Sequence, residues 1–283
     1  MSPVWCAAKA GVRRGWTELR QTFTTGQEVF GYVLWTALLL VPLFLVRDEP
    51  LKGAGISAGA FMLPSMLGMT LAFTGMMTTA QLLATEREDG TLLRAKAVPH
   101  GMVGHLIGKI IMVSGTALVS MAFPFAVGVF LVDGVARQGG GALLTLVWVV
   151  PLGLLATLPV GAVIGSLVNS PRTIGLLMLP VMGLVVISGI YFPLSKLPEW
   201  LQTIGQIFPV YWLGLGLRAA LLPAEAVAAE VGASWRHLAT AGVLGAWAVA
   251  GLLLAPFVLR RMARRESGAA MAERHRKAMQ RVG

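Results

Sequence analysis

The chain has 283 residues, 56% hydrophobic and only 13% charged, about half the charge of a soluble domain. Together with a mean hydropathy of +0.74, this excludes an ordinary soluble enzyme and a disordered chain. A lone cysteine, Cys6, excludes an internal disulfide framework, and no Cys/His cluster has structural-zinc spacing.

In residues 1–28, Trp5, Ala8, Val12, Trp16, Leu19 and Phe23 step by three or four and predict one apolar helix face. Lys9, Arg13 and Arg20 lie off that stripe. The pattern predicts a helix lying in the cytoplasmic membrane interface, aromatics in lipid and cations toward phosphate, rather than a cleaved leader.

Long charge-free stretches follow: 29–46, 53–85, 110–132, 138–171, 173–195 and 237–259. A bilayer core needs about 20 apolar residues in a helix, which satisfies its own backbone groups. Six spans are expected over 29–259: Val29–Val46, Ile56–Leu83, Leu106–Val132, Ala142–Val168, Thr173–Phe192 and Leu238–Leu259. The stretch 200–217 carries Gln202, Thr203, Gln206 and Pro209, costly in lipid, and reads as a re-entrant hairpin in an outer segment 193–235. With six spans and the N-terminus inside, 17 of the 23 Lys/Arg fall on the inner side, eight of them in the tail 260–283. This is the positive-inside bias, and it turns a net charge of +10 from a nucleic-acid signal into a topology signal. The fold class expected is an all-α integral membrane protein with both termini cytoplasmic.

The inner loop 84–105 is the densest in chemistry. Glu86, Glu88 and Asp89 form an acidic group on a basic face, suited to a soluble partner. Gly90 permits a tight turn, and Pro99 ends a short helix over 91–98. His100 and His105 are five residues apart, with no acid completing a metal site, and read as interfacial histidines; Lys109 sits at the mouth of the third span. No Asp, Glu, Lys or Arg falls inside a span, which weighs against a proton-coupled carrier. No phosphate loop occurs, since Gly108-Lys109 lacks the rest of the pattern, so ATP and Mg would have to be bound by another chain. No catalytic, cofactor or metal residue is expected in this chain.

Met62, Met66, Met69 and Met76, with Phe73, form one stripe on the second span, and Met178 and Met182 flank Pro180 on the fifth. Such soft side chains suit varied apolar cargo, although methionine also serves ordinary packing. Gly104/Gly108 and Gly161/Gly165 permit close helix approach. Trp200, Tyr211 and Trp212 read as an aromatic belt at the far interface, where Glu199 and Arg218 could pair.

Two blocks carry a resemblance. Glu86-Arg87-Glu88-Asp89-Gly90-Thr91-Leu92, with Pro99 and then Gly108-Lys109, resembles the inner-loop signature of ABC type-2 exporter permeases. Gly189-Ile190-Tyr191-Phe192-Pro193, with Pro198, Trp200, Pro209, Tyr211 and Arg218, is similar to the outer segment of the daunorubicin/doxorubicin-exporter branch. The basic run Arg94-Ala95-Lys96 departs from that pattern, which often has an acid there. The resemblance implies a separate ABC ATPase subunit, in two copies, docking on Glu86–Leu92 and Pro99. It implies a second copy of this permease or a related one to complete the pore, and membrane lipid rather than nucleic acid around it. It makes Tyr191, Phe192, Pro193, Trp200 and Arg218 an outer gate, and it implies a bacterial plasma membrane. Export of hydrophobic drugs or natural products comes first, a lipid or polysaccharide second, an ion-coupled carrier a distant third.

Overall fold

The structure, a computed structural model, describes residues 2–135, 140–168 and 181–265. Helix α1 (Pro3–Thr22) starts at Ser2, whose hydroxyl accepts from the Trp5 N–H, with proline in the first turn. Then come α2 (Gly26–Leu45) and α3 (Ala58–Phe73), which passes through a π turn (Thr74–Thr78) into α4 (Thr79–Glu88). After α5 (Thr91–Ala97) follow the long α6 (Gly101–Leu131) and α7 (Gly140–Leu167). Residues 181–187 are helical, and α8 (Glu199–Ile207), α9 (Pro209–Leu221) and α10 (His237–Arg265) complete the order.

Five helices are long and apolar enough to span a bilayer: α2, α3–α4, α6, α7 and α10. The chain is an all-α integral membrane protein, and these five match five of the six expected spans. Most of the fifth expected span, including Met178 and Pro180, lies outside the described residues, as does the tail beyond Arg265. Burial separates the helices sharply. The span Ala58–Glu86 is 89% buried, against 17–33% for the other four. Thus α3–α4 is the axis of the protomer, and the other helices turn apolar residues outward, as a lipid-facing surface requires.

Small residues set the packing. Any side-chain carbon on Gly161 or Gly165 of α7 would collide with the backbone of Met76 or Ala80, so α7 lies directly on the axial helix. Gly75 in the π turn faces the Thr157 hydroxyl equally closely. The order of these contacts rises in both helices, so α3–α4 and α7 run parallel. Gly251 meets Pro159, and His237 meets Trp148 edge-on, so α10 runs parallel to α7. Gly128 near the end of α6 meets Leu63 near the start of α3, so α6 runs the opposite way. Leu83, Met102 and Leu259 cluster together. The loop around α5, the start of α6 and the end of α10 therefore share one end of the bundle.

The hairpin α8–α9 bends by 90° at its break. It re-enters from the other end: Gly214 meets Gly68, Leu213 meets Gly153 and Gly216 meets Val149, so α9 runs antiparallel to both α3 and α7 and climbs back toward their starts. A helix end in a membrane interior leaves carbonyls without partners. Here two indoles supply them, Trp212 Nε1 donating to Gln206 O at 2.7 Å and Trp247 Nε1 to Ile207 O at 2.8 Å. Tyr211 and Trp212 are buried. This corrects the reading of both as interfacial belt residues: their rings fill the hairpin's inner corner, and only Trp200 is exposed among the three.

Candidate functional site

The axial helix ends at Glu88, and the chain reverses through Asp89 and Gly90, which takes a left-handed φ of 69°. Seven residues of α5 follow, then extended Val98, Pro99, and a second left-handed residue, His100 at φ 57°. This short helix thus stands between two sharp turns at the tip of the most buried span. Asp89, Val98, Pro99 and His100 are exposed, Thr91 is half-buried and Gly90 is buried. Arg94 Nη2 donates to the Asp89 carbonyl at 3.2 Å and braces the first turn. The side chains of Arg87, Glu88 and Leu92 lie outside the described ones.

Glu86 does not belong on that exposed surface, where the sequence placed it. It is 6% exposed. His105 Nε2 lies 2.9 Å from its Oε2, and Lys109 Nζ lies 2.9 Å from Oε1. The same ammonium reaches Glu18 Oε2 of α1 at 2.8 Å. His105 is 4% exposed, so it is an internal partner rather than an interfacial histidine. A helical step of four puts His105 and Lys109 on one face of α6, and the fold brings the end of α4 against that face. Sequence spacing showed the first half of this arrangement and could not show the second.

Helix α1 is joined to the same assembly by backbone-to-backbone contact. Side-chain carbons on Gly11 and Gly15 would strike the carbonyls of Gly104 and Gly108, and Gly115 has room only for Leu19. The pair Gly104/Gly108 is therefore the seat of α1. Glu18 also accepts from Arg14 Nε at 2.7 Å. Partial burial raises the Glu18 carboxyl, but bonds and charges from Lys109 and Arg14 outweigh this and hold it below its ordinary 4.5. Trp5 and Trp16 of the stripe are 57% and 58% exposed, with Val12 between them, while Ala8 is half-buried and Phe23 packs on Tyr32 of α2.

The methionine stripe is internal to the protomer. Met62, Met66, Met69 and Met76 are all buried in the main core, with Phe73 half-buried beside them; Met182 is exposed. At the opposite end of the bundle Tyr191 and Phe192 are half-buried, Pro193 is buried and Trp200 is exposed. Arg218, 1% exposed, does not pair with Glu199, which points to the exterior. Its partner is Glu230, 3% exposed: Nε donates to Oε1, and Nη2 to Oε2 at 3.2 Å. Nη1 donates to Ser65 Oγ at 2.7 Å and to the Gly189 carbonyl at 3.4 Å, and the guanidinium lies 4.6 Å from the Phe61 ring centroid. The sequence reading paired Arg218 with Glu199, and the outer segment also holds Glu225 and Glu230. Only the three-dimensional path of the loop selects Glu230.

A family description, ABC-2 family transporter protein, matches residues 44–256, three quarters of the chain. The chain belongs to the ABC-2 transporter family. No curated protein matches the sequence. Membership makes this a multi-pass permease subunit of ABC type, which works with an ABC ATPase subunit. The family match covers α3–α4, α5, α6, α7, the hairpin and most of α10, and leaves out α1, most of α2 and the end of α10 with Leu259.

Proposed function

We propose that this ABC-2 permease forms the translocation path of an ATP-driven exporter for hydrophobic, drug-like or natural-product cargo, with two copies, or one copy and a related permease, meeting two ATPase subunits. The observation that carries the reading is α5. It is a short helix braced between two left-handed turns at the tip of the axial span, and a push on it is a push on the protomer's core. Asp89, Thr91, Pro99 and the backbone at Gly90 form the ATPase-facing surface, with Arg87, Glu88 and Leu92 in the same segment. Glu86 leaves that set because its carboxylate is engaged inside the protein. The end that carries α5 is cytoplasmic, in keeping with the basic residues of α1 and the tail, and α1 lies with Trp5 and Trp16 in the membrane interface.

The cargo path uses the soft lining of the axial helix. Met62, Met66, Met69 and Met76 become available when α3 parts from its neighbours, and Phe73 and Met182 meet cargo first at the surface; Met178 belongs to the same span as Met182. Tyr191, Phe192, Pro193, Trp200 and Arg218 border the outer exit. Neutral or weakly cationic amphiphiles suit such a path, because a strongly charged solute would lose several kcal/mol of hydration without compensation.

The test is reconstitution with the cognate ATPase in liposomes, scanning hydrophobic amphiphiles for stimulated ATP hydrolysis and uptake. Asp89→Lys should reduce stimulated transport severalfold while the permease still inserts. Full transport and an intact complex after that reversal overturn the role given to α5, and no stimulation of the unaltered pair by any apolar compound overturns the cargo class.

A further inference from the structure

The outer loop between α9 and α10 is both strained and clamped. Within Glu230–Arg236, Gly232, Ala233 and Arg236 all adopt positive φ, 71°, 44° and 47°. Two of these are not glycine, and left-handed backbone at such residues persists only where surrounding contacts enforce it. The enforcing contacts sit at the two ends of the segment. Glu230 is held by the buried Arg218 of α9. Arg236 Nη1 donates to Gln206 Oε1 of α8 at 2.6 Å, and its guanidinium lies 4.8 Å from the Trp212 ring centroid. The strap is thus pinned to both arms of the re-entrant hairpin, and it leads directly into α10.

A buried ion pair is a weak source of stability compared with apolar packing of the same volume, and its attested value lies in fixing one of two arrangements. Arg218 is also a full charge inside a membrane-embedded element, the usual mark of a working residue. We infer that the segment Glu230–Arg236 is a spring-loaded strap. It holds the outer end of the protomer shut through Arg218–Glu230, and it lifts during each cycle to let the hairpin part from α3. The close seam of Gly68 on Gly214, deeper in the bundle, is the fulcrum. Ala229, buried with Ala54 and Phe61 beneath the strap, becomes exposed when it lifts. The inference rests on the exporter reading.

Ala229→Cys in a Cys6→Ser background, in sealed proteoliposomes that hold the ATPase and ATP inside, reports the strap through a membrane-impermeant maleimide added outside. Labelling should rise about tenfold under ATP turnover relative to rest. Glu230→Gln, which loosens a pin, should raise resting labelling. Ala233→Gly, which relieves strain in the closed form, should lower it. Equal rates at rest and in turnover overturn the strap, as does a loss of sign between the two variants. If Glu230→Gln fails to fold, a second experiment decides: Ala54→Cys/Ala229→Cys in the Cys6→Ser background, bridged by a short reversible bis-thiosulfonate, should abolish transport of the amphiphile that most stimulates the unaltered pair, and reductant should restore it. Undiminished transport in the fully bridged protein makes the loop a static cover. If the unbridged protein moves no apolar compound yet shows turnover-dependent labelling, the cargo reading fails and the strap stands.

Discussion

Lys109 joins two carboxylates that belong to different helices, Glu18 and Glu86, and its removal leaves both without their shared cation. Lys109→Met is expected to lower thermal stability in detergent by about 3 kcal/mol, because stranding a buried charge costs more than a buried pair contributes. Lys109→Arg should retain most of that stability. Glu18 adds a pH dependence of known sign. Its folded-state carboxyl titrates below its ordinary 4.5, so its stabilisation is present above that value and is lost as pH falls through the depressed one. Hydrogen exchange over residues 3–22, taken relative to the intrinsic amide rate at each pH, should stay slow above the ordinary carboxylate value and accelerate only as pH falls through the depressed one. In Lys109→Met the acceleration should begin at a higher pH. Identical onset in the two proteins would show that Lys109 does not hold Glu18.

Helix α1 depends on an absence of side chains. Its glycine face meets α6 at backbone distance, while its aromatic face is exposed. Gly15→Leu should therefore detach α1, with a loss of about 1–3 kcal/mol from overpacking and new proteolytic cleavage between α1 and α2. Trp16→Ala should leave α1 docked and weaken only its hold on lipid. If both variants cleave alike, the glycine seam is not what seats the helix. The hairpin α8–α9 rests on a different device, two indole donors covering the carbonyls at its break. Trp247→Phe keeps the ring and removes a donor, and it should cost about 1–3 kcal/mol, the desolvation penalty of one stranded acceptor.

At the scale of the molecule, the parallel run of α3–α4, α7 and α10 against α6 requires α1, α5 and the end of α10 to lie on one side of the membrane. A cysteine at position 270, in a Cys6→Ser background, should react with a membrane-impermeant probe only in inverted vesicles. One at Glu225, in the exposed outer loop, should react only in intact cells. The reverse pattern would invert the permease and place α5 away from any cytoplasmic ATPase.

The membrane class, the approximate places of five spans and the break at Pro209 were legible in the sequence, because each follows from a one-dimensional quantity. Charge-free length is set by bilayer thickness, and Gln202, Gln206 and Pro209 are costly in lipid wherever the segment packs. Gly90 and Pro99 marked the turn before α5 and its end for the same local reason. Tertiary structure alone decided which charges meet. Glu86 looked like a member of an exposed acidic group until the fold set α4 against His105 and Lys109. Arg218 shares the outer segment with three acids, Glu199, Glu225 and Glu230, and took Glu230. The methionine stripe was read from its spacing, yet its burial followed from α3–α4 being the axis, which depends on glycines of α6, α7 and α9. Periodicity records which residues share a face. It does not record what covers that face, because that is set by contacts between segments far apart in the chain.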